Sequence, residues 1–258
     1  MLLRAIIGAL ASGGIAFWTL RVGALTRSGA LAAAIVGTVV VAAGWGWGVL
    51  LATFFVSSIV LSRIGEPRKA QRVGGIVAKS GARDAWQVLA NGGMFAAAAA
   101  AAILSPSSIW PAIGVGALAA AAADTWGTEI GTLLGGEPRS IISGQRVAVG
   151  ASGGITLAGT AGTVGGAGFM ALAAALTGWP VGIGVILLSG IAGAVADSIL
   201  GALAQERFWC EACAMPTEQS VHRCGTIASR AGGLAGLNND VVNLLCSLIG
   251  ALVALVMS

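Results

Sequence analysis

Three stretches of the chain, residues 28–62, 85–123 and 147–196, contain no Asp, Glu, Lys or Arg. A helix needs about 20 apolar residues to cross a bilayer, so each stretch has length enough for two crossings. Each also carries turn chemistry near its middle: GWGWG at 44–48, SPSSIWP at 105–111 and TGWP at 177–180. Gly and Pro interrupt helices, and Trp favours the membrane interface. The pattern therefore predicts three helical hairpins. A first helix over roughly 5–20 and a last over roughly 241–257 complete the reading. It is an all-α integral membrane protein of about eight transmembrane helices arranged as hairpins. Residues 1–258 form one polytopic domain, and a Cys/His loop at 205–236 is inserted before the last span. The two legs of the first hairpin are short, which leaves a tilted, re-entrant or single long helix as alternatives there.

Composition agrees with this class. Hydrophobic residues make up 57% and charged residues 9% of the chain, against about 25% charged in soluble domains, too few to cover a water-facing surface. The 41 glycines suit helices that approach closely in lipid. The start, MLLRAIIGALASGG, reads as a retained first span rather than a cleaved signal, because apolar helix resumes through Phe17 and Trp18. In the eight-span arrangement every charged residue from Arg21 to Asp240 falls on one face, and of the 14 basic residues only Arg4 lies opposite. The positive-inside rule makes that face cytoplasmic, with both termini outside. The net charge of +4 is thus a topology signal and not a nucleic-acid patch.

The chemistry concentrates on that face. Asp124 and Asp197 end long charge-free runs with similar spelling, AADT and VADS, which suggests a weak internal repeat of spans 5–6 and 7–8. Glu129 follows in ADTWGTEIG and Asp240 opens the last span in LNNDVVN, beside Asn239. Acids at a membrane boundary are costly unless paired, hydrated or metal-bound. Hard oxygen ligands of this kind suit Mg²⁺, so Asp124, Asp197 and Asp240 are candidate Mg²⁺ ligands. Asp124 and Glu129 are five apart, about 140° around a continuous helix, so both can face one ion only if the helix breaks at Gly127. The alternative for each acid is a solvated helix end or a partner Arg.

The glycine-rich segment 144–166 offers backbone N–H groups at Ser152, Gly153 and Gly154, beside Arg139 and Arg146, for phosphate. It lacks GxxxxGK[ST], so it is no P-loop, and close helix packing is the competing reading. In the basic loop 63–84, Arg83 and Asp84 lead into Gln87 and Asn91. These amides lie four apart on one helix face and can point at a site. The loop otherwise reads as a topology determinant attracted to anionic lipid. Finally, CEACAMPTEQSVHRC sets Cys210, Cys213, His222 and Cys224 in C-x2-C-x8-H-x-C spacing, a full tetrahedral set for structural Zn²⁺. A redox-sensitive thiol cluster is the alternative. The one histidine is in this set, so no nucleophile–His–acid triad remains.

The strings RDAWQVLANGG, ADTWGTEIG, GASGGITLAGTAG, ADSILGALAQ and NNDVVN resemble, in order, a multi-span membrane family long labelled as a domain of unknown function. That family includes human transmembrane protein 19 and the plant plastid phytyl-phosphate kinase. The resemblance implies phosphorylation of an isoprenoid monophosphate to the diphosphate by a nucleoside triphosphate, CTP or ATP. In that reading Asp124, Asp197 and Asp240 hold Mg²⁺ with nucleotide phosphates, and Glu129 and Asn239 support them. Arg139, Arg146 and the 150–156 backbone contact phosphate. The Cys/His insert looks like that of bacterial members and not of animal ones, which implies a structural role; the expected location is a bacterial plasma membrane, with the active face on the cytoplasmic side that the basic residues mark. Phosphoryl transfer needs positioning, metal and cations rather than a covalent nucleophile, which this inventory matches. A transporter or flippase for an ion or lipid, a CTP-dependent cytidylyltransferase making a CDP-lipid, and a purely structural membrane protein remain alternatives. The sequence leaves nucleotide, lipid length and oligomeric state open.

Overall fold

The computed structural model describes residues 1–74, 76 and 81–258, and among these it is a mostly helical membrane protein. Among the described residues nine helices are present: α1 (Leu2–Arg21), α2 (Arg27–Ala43), α3 (Trp45–Arg63), α4 (Glu66–Val73), α5 (Ala85–Leu104), α6 (Ile109–Leu134), α7 (Leu157–Leu176), α8 (Ile183–Leu203) and α9 (Asn239–Met257). Two small antiparallel sheets sit between helices. One pairs β1 (Arg139–Ser140) with β2 (Gly154–Ile155); the other orders β4 (Met215–Thr217), β3 (Arg207–Cys210) and β5 (Ser229–Gly232) as β4-β3-β5. Six helices, α1, α3, α5, α7, α8 and α9, are long and apolar enough to cross a membrane, and α2 is a shorter apolar helix of 17 residues.

Each charge-free run folds as two helices. The first breaks at Gly44, where α3 follows α2 after a single extended residue. Gly48 then packs on Val41, so a Cβ there would meet Val41 Cγ2 at 2.9 Å. The other two runs break at residues 105–108 and 177–182. Four helices that start at the charged end have side-chain N-caps. Thr26 accepts from Gly29 N, Thr156 from Gly159 N and Asn238 from Val241 N, while Asp84 and Gln87 form a capping box on α5. Each cap satisfies a backbone donor that the helix leaves orphaned.

Helix α6 is the axis. It packs against α7, α9, α8, α5 and α3, and its residues from Ala117 to Ala123 are buried all round. Lipid gives no hydrophobic drive for helices to associate, so close van der Waals packing must hold them. Glycine supplies it. A Cβ on Gly166 would lie 2.7 Å from Ala122 O, and one on Gly162 2.7 Å from Trp126 O; both sit at the α6–α7 seam. A Cβ on Gly116 would lie 2.5 Å from Gly250 O, and one on Gly250 2.5 Å from Gly116 O, between α6 and α9. Gly193 seats α8 against Ala120 and Cys246. At the end opposite the charges, Trp47 stacks on Phe95 at 5.0 Å and meets Trp179 edge-on at 4.9 Å. The Trp179 indole donates to Pro111 O.

Two expectations need correction. The acids were to mark the ends of their spans, yet α6 continues past Asp124 to Leu134 and α8 past Asp197 to Leu203. Nor does α6 break at Gly127. Glycine there serves close packing, since a Cβ would come 2.4 Å from Thr163 Oγ1 of α7. Asp124 and Glu129 therefore lie on different faces of an unbroken helix.

Replacing Gly166 with Leu should drive α6 and α7 apart and cost at least about 1–3 kcal/mol, the usual range for overpacking. Gly168→Ala, whose Cβ would meet nothing within 4 Å, should be neutral or slightly stabilising. Thermal unfolding of the detergent-solubilised variants checks both.

Candidate functional site

The charged end gathers three loops over the ends of α6, α8 and α9. Asp124 on α6 and Asp197 on α8 face one another closely enough that the Asp124 charge acts on Asp197, and so does Glu218 of the Cys/His insert. Cys246 of α9 stands within range of both aspartates. Asp197 Oδ2 is buried with no hydrogen-bond partner among the described residues. A buried carboxylate oxygen left unsatisfied is expensive, which makes this position a candidate ligand-binding point. Asp240 lies in the first turn of α9 with its Oδ1 buried. Asn239 precedes it, while the cap of that helix comes from Asn238.

The glycine-rich segment wraps the end of α8. Gly153 adopts φ +76° and lies so close to Ala202 that a Cβ would sit 2.4 Å from the alanine Cβ. Gly201 fits against Ser152 in the same way. The Ser152 hydroxyl hydrogen-bonds the Glu218 carboxylate. A cavity of about 130 Å³ opens here, lined by Ser140, Ser152, Arg207, Thr217 and Glu218 among others.

The Cys/His insert holds a separate cluster. The ligand atoms of Cys210, Cys213, His222 and Cys224 all lie within 4.8 Å of one another. Cys210 and Cys224 sulfurs are 3.6 Å apart, and His222 Nδ1 is 3.1 Å from Cys224 Sγ. Sulfurs bound at about 2.3 Å in a tetrahedron stand roughly 3.8 Å apart, so the set can hold a metal such as zinc with little movement. Hydrogen bonding to the Thr226 hydroxyl, then to His222, lowers the Cys224 thiol to about 5. A thiolate is therefore ready at neutral pH as a first ligand. No open ligand position remains, the mark of a structural site.

Comparison with known proteins fits this architecture. The sequence profile of the family described as integral membrane protein DUF92 matches residues 10–251. The chain belongs to this family. It is 31% identical over 273 residues to Protein PGR of Arabidopsis thaliana, covering 95% of this chain and 93% of that protein. An uncharacterized membrane protein of Methanocaldococcus jannaschii is 30% identical, covering 89% of this chain and 84% of its own. One from Synechocystis is 33% identical, covering 67% and 69%. No solved structure shows significant similarity.

Several residues singled out in the sequence of this family member have local partners instead of an open site. Glu129 is paired with Lys69 at 2.5 Å. Lys69, buried, also donates to Leu61 and Ser62 carbonyls and so ties α4 to the ends of α3 and α6. Gln87 completes the α5 capping box with Asp84, and Asn91 Nδ2 donates to Gln87 O; these amides hold the helix start rather than point at a site. Burial pushes the Arg83 guanidinium down from its ordinary value while the Glu129 charge opposes the shift. Arg146 pairs with Glu137 at an exposed position, and Arg139 donates to Gly144 O. Gly154, in β2, pairs with Ser140. Residues 75 and 77–80 of the basic loop, Lys79 included, lie outside the described residues.

Sequence reasoning missed Lys69 and Glu218. Lys69 was one of six basic residues in a loop; only the amphipathic turn GEPRKAQRV hinted that one would be buried. Glu218 sits inside the metal-motif spacing and was passed over as part of it.

Purified protein should carry about one equivalent of tightly held metal by elemental analysis. Cys210→Ser and His222→Ala should each lose it, since a set of four ligands has no spare.

Proposed function

We propose that this protein is an isoprenoid-monophosphate kinase acting at the cytoplasmic face of a bacterial plasma membrane through eight spans, with α2 and α6 crossing as well. The observation that carries the reading is the Asp124–Asp197 pair, in which one Asp197 carboxylate oxygen is buried and has no partner among the described residues. Hard oxygen donors converging on such a point fit Mg²⁺, and Asp240 at the head of α9 is the third candidate ligand. When bound, Mg²⁺ with CTP or ATP would neutralise charge on the transferring phosphoryl group. The chain's own residues position the reactants. Asp124 and Asp197 would hold the cation, and the Ser152–Gly153 turn offers backbone N–H groups to phosphate. Arg207 supplies positive charge, and Arg139 and Arg146 at the rim would join it only by leaving their partners Gly144 O and Glu137. The terminal oxygen of the lipid phosphate attacks the γ-phosphorus, and the bond from γ-phosphorus to the β-phosphate oxygen breaks. The acceptor is already an anion, so no strong general base is required.

A lipid acceptor has support in the membrane region. An apolar groove of about 560 Å³ runs between α3, α6 and α7, lined by Thr53, Val56, Val60, Trp126 and Phe169. That volume lies in the range of about 300–1,000 Å³ usual for ligand sites. Trp126 lines it, and its indole donates to Ser57 Oγ; two residues on from Asp124, it projects about 200° away around α6. A prenyl chain in the groove would lie on the α3–α7 side of α6, and its phosphate would have to emerge at the charged end to meet the acids on the α8 side. The Cys/His cluster is read as a structural zinc site. The name Protein PGR specifies no chemistry, so the reading rests on the site and on the family resemblance.

Acids set inside helices also suit an ion or lipid transporter. A cytidylyltransferase would use the same centre but release pyrophosphate. The deciding assay incubates purified protein with Mg²⁺, mixed nucleoside triphosphates and C15–C20 prenyl monophosphates, and follows the lipid by mass spectrometry. Prenyl diphosphate is expected, with a loss of about 10²-fold or more in Asp124→Asn and Asp197→Asn, the scale of losing one transition-state stabilising group. A CDP-linked lipid would make it a cytidylyltransferase. No nucleotide-dependent product from folded protein would overturn the kinase reading and send the question to vesicle flux.

Filling the groove gives an independent check. Val56→Trp should cut kcat/KM for long prenyl phosphates about tenfold or more while sparing a C5 substrate, because remote apolar contacts contribute binding energy only to the long chain.

A further inference from the structure

The metal cluster and the acid centre are joined by a short stretch of chain. Glu218 lies between the ligands Cys213 and His222. It directly follows β4, whose Met215 pairs with Cys210, itself a ligand, across the β3–β4 ladder. On the other flank, Ala228 N donates to Ser220 O and His222 N to Thr226 O. The segment from 213 to 222 is thus pinned at both ends by metal-cluster residues. Its carboxylate leaves the cluster altogether. It receives the Ser152 hydroxyl and its charge acts on Asp197. The same arm, through Pro216, Thr217 and Glu218 with Arg207, forms one wall of the 130 Å³ cavity whose other wall is the glycine-rich loop. Asp197 Oδ2, buried and without a partner among the described residues, lies within reach of the Glu218 charge.

We propose that the Cys/His insert is a metal-held arm that supplies Glu218 as a further carboxylate of the Asp124–Asp197 centre, so that metal in the cluster sets the cation affinity of the centre. The two metal sites differ in chemistry. Thiolates and imidazole select a soft or borderline ion, carboxylates a hard one. One chain can therefore hold both without exchange. Without the cluster metal the segment between Cys213 and His222 keeps the β3–β4 ladder and the Glu218 N bond to Ile76 O, but the Glu218 carboxylate is held less firmly beside Ser152. The inference rests on reading Asp124 and Asp197 as a divalent-cation centre.

Mn²⁺ serves as the probe, titrated into full-length, detergent-purified protein and read by electron paramagnetic resonance. The cluster is first stripped by a chelator that is then removed, or left loaded with Zn²⁺. Loaded wild type should bind Mn²⁺, and Asp197→Asn should not. Glu218→Gln should bind about tenfold more weakly or worse. Stripped wild type should weaken by a similar factor and recover on reloading with Zn²⁺. Stripping Glu218→Gln should add little, because the two changes act through one group. Loaded Glu218→Gln and stripped wild type that both bind Mn²⁺ like loaded wild type, with Asp197→Asn still deficient, would overturn the inference and leave the cation centre standing. Equal and negligible Mn²⁺ binding by wild type and Asp197→Asn would overturn the cation centre itself, and the inference with it. Zn²⁺ content and thermal unfolding of each sample separate a lost arm from a misfolded protein.

Discussion

Backbone-to-backbone contact along α6 is the constraint on which the structure depends. Helices in lipid gain nothing from hiding apolar surface from one another. They must gain it from contact, and Gly116, Gly162, Gly166, Gly193 and Gly250 bring main chains to distances where a single methyl would collide. This is why α6 can be surrounded by α3, α5, α7, α8 and α9 although its buried stretch from Ala117 to Ala123 is alanine except for Leu118. The same contacts set the acid centre. Asp124 rides on α6 and Asp197 on α8, so their approach is fixed by packing at Gly190 and Gly193 and not by a bond between the side chains. Groups placed by rigid elements keep their geometry before any ligand arrives.

The charged end sorts its acids into two kinds. Glu66, Glu129, Glu137 and Glu206 each have a basic partner within 3.3 Å, and their roles are structural. The Lys69–Glu129 pair shows this most clearly: α4 buries one lysine to close the gap between α3 and α6. Asp197 belongs to the second kind. Its Oδ2 is buried and has no partner among the described residues, and the charges known to act on it are those of other acids. A buried oxygen of this kind is costly without a partner, which sets Asp197 apart from the four glutamates paired with bases.

The helices were legible in the sequence because periodic charge and turn residues are local signals. The breaks at Gly44, at SPSS and at TGWP required only the rules of helix interruption and interfacial Trp. The family was legible through ordered strings, and the metal tetrad through its spacing. What failed was depth and partnership. That α6 and α8 run beyond their aspartates depends on which residues of α7 and α9 face them, and a single sequence does not display that. A break at Gly127 was the condition for Asp124 and Glu129 to face one ion, whereas here the value of that glycine is the missing Cβ opposite Thr163. Gln87 and Asn91 share a helix face as expected, but a capping box claimed the first, and the second bonds back to its own helix. Glu218 became visible only when the insert folded back over residue 152.

Access to the acids differs between the two ends of the molecule. From the charged end, the Ser152 turn and the Glu218 arm reach down to Asp197, which lies six residues, or about 9 Å of helix rise, from the end of α8. From the other end the way is filled. Trp47, Phe95 and Trp179 interlock, and the interior beyond them is the buried alanine face of α6 from 117 to 123. A carrier must open its site to both sides in turn, which here would require taking apart the aromatic cluster and the glycine seams that hold α6. The interlocked aromatic rings and the glycine seams therefore weigh against passage through this centre.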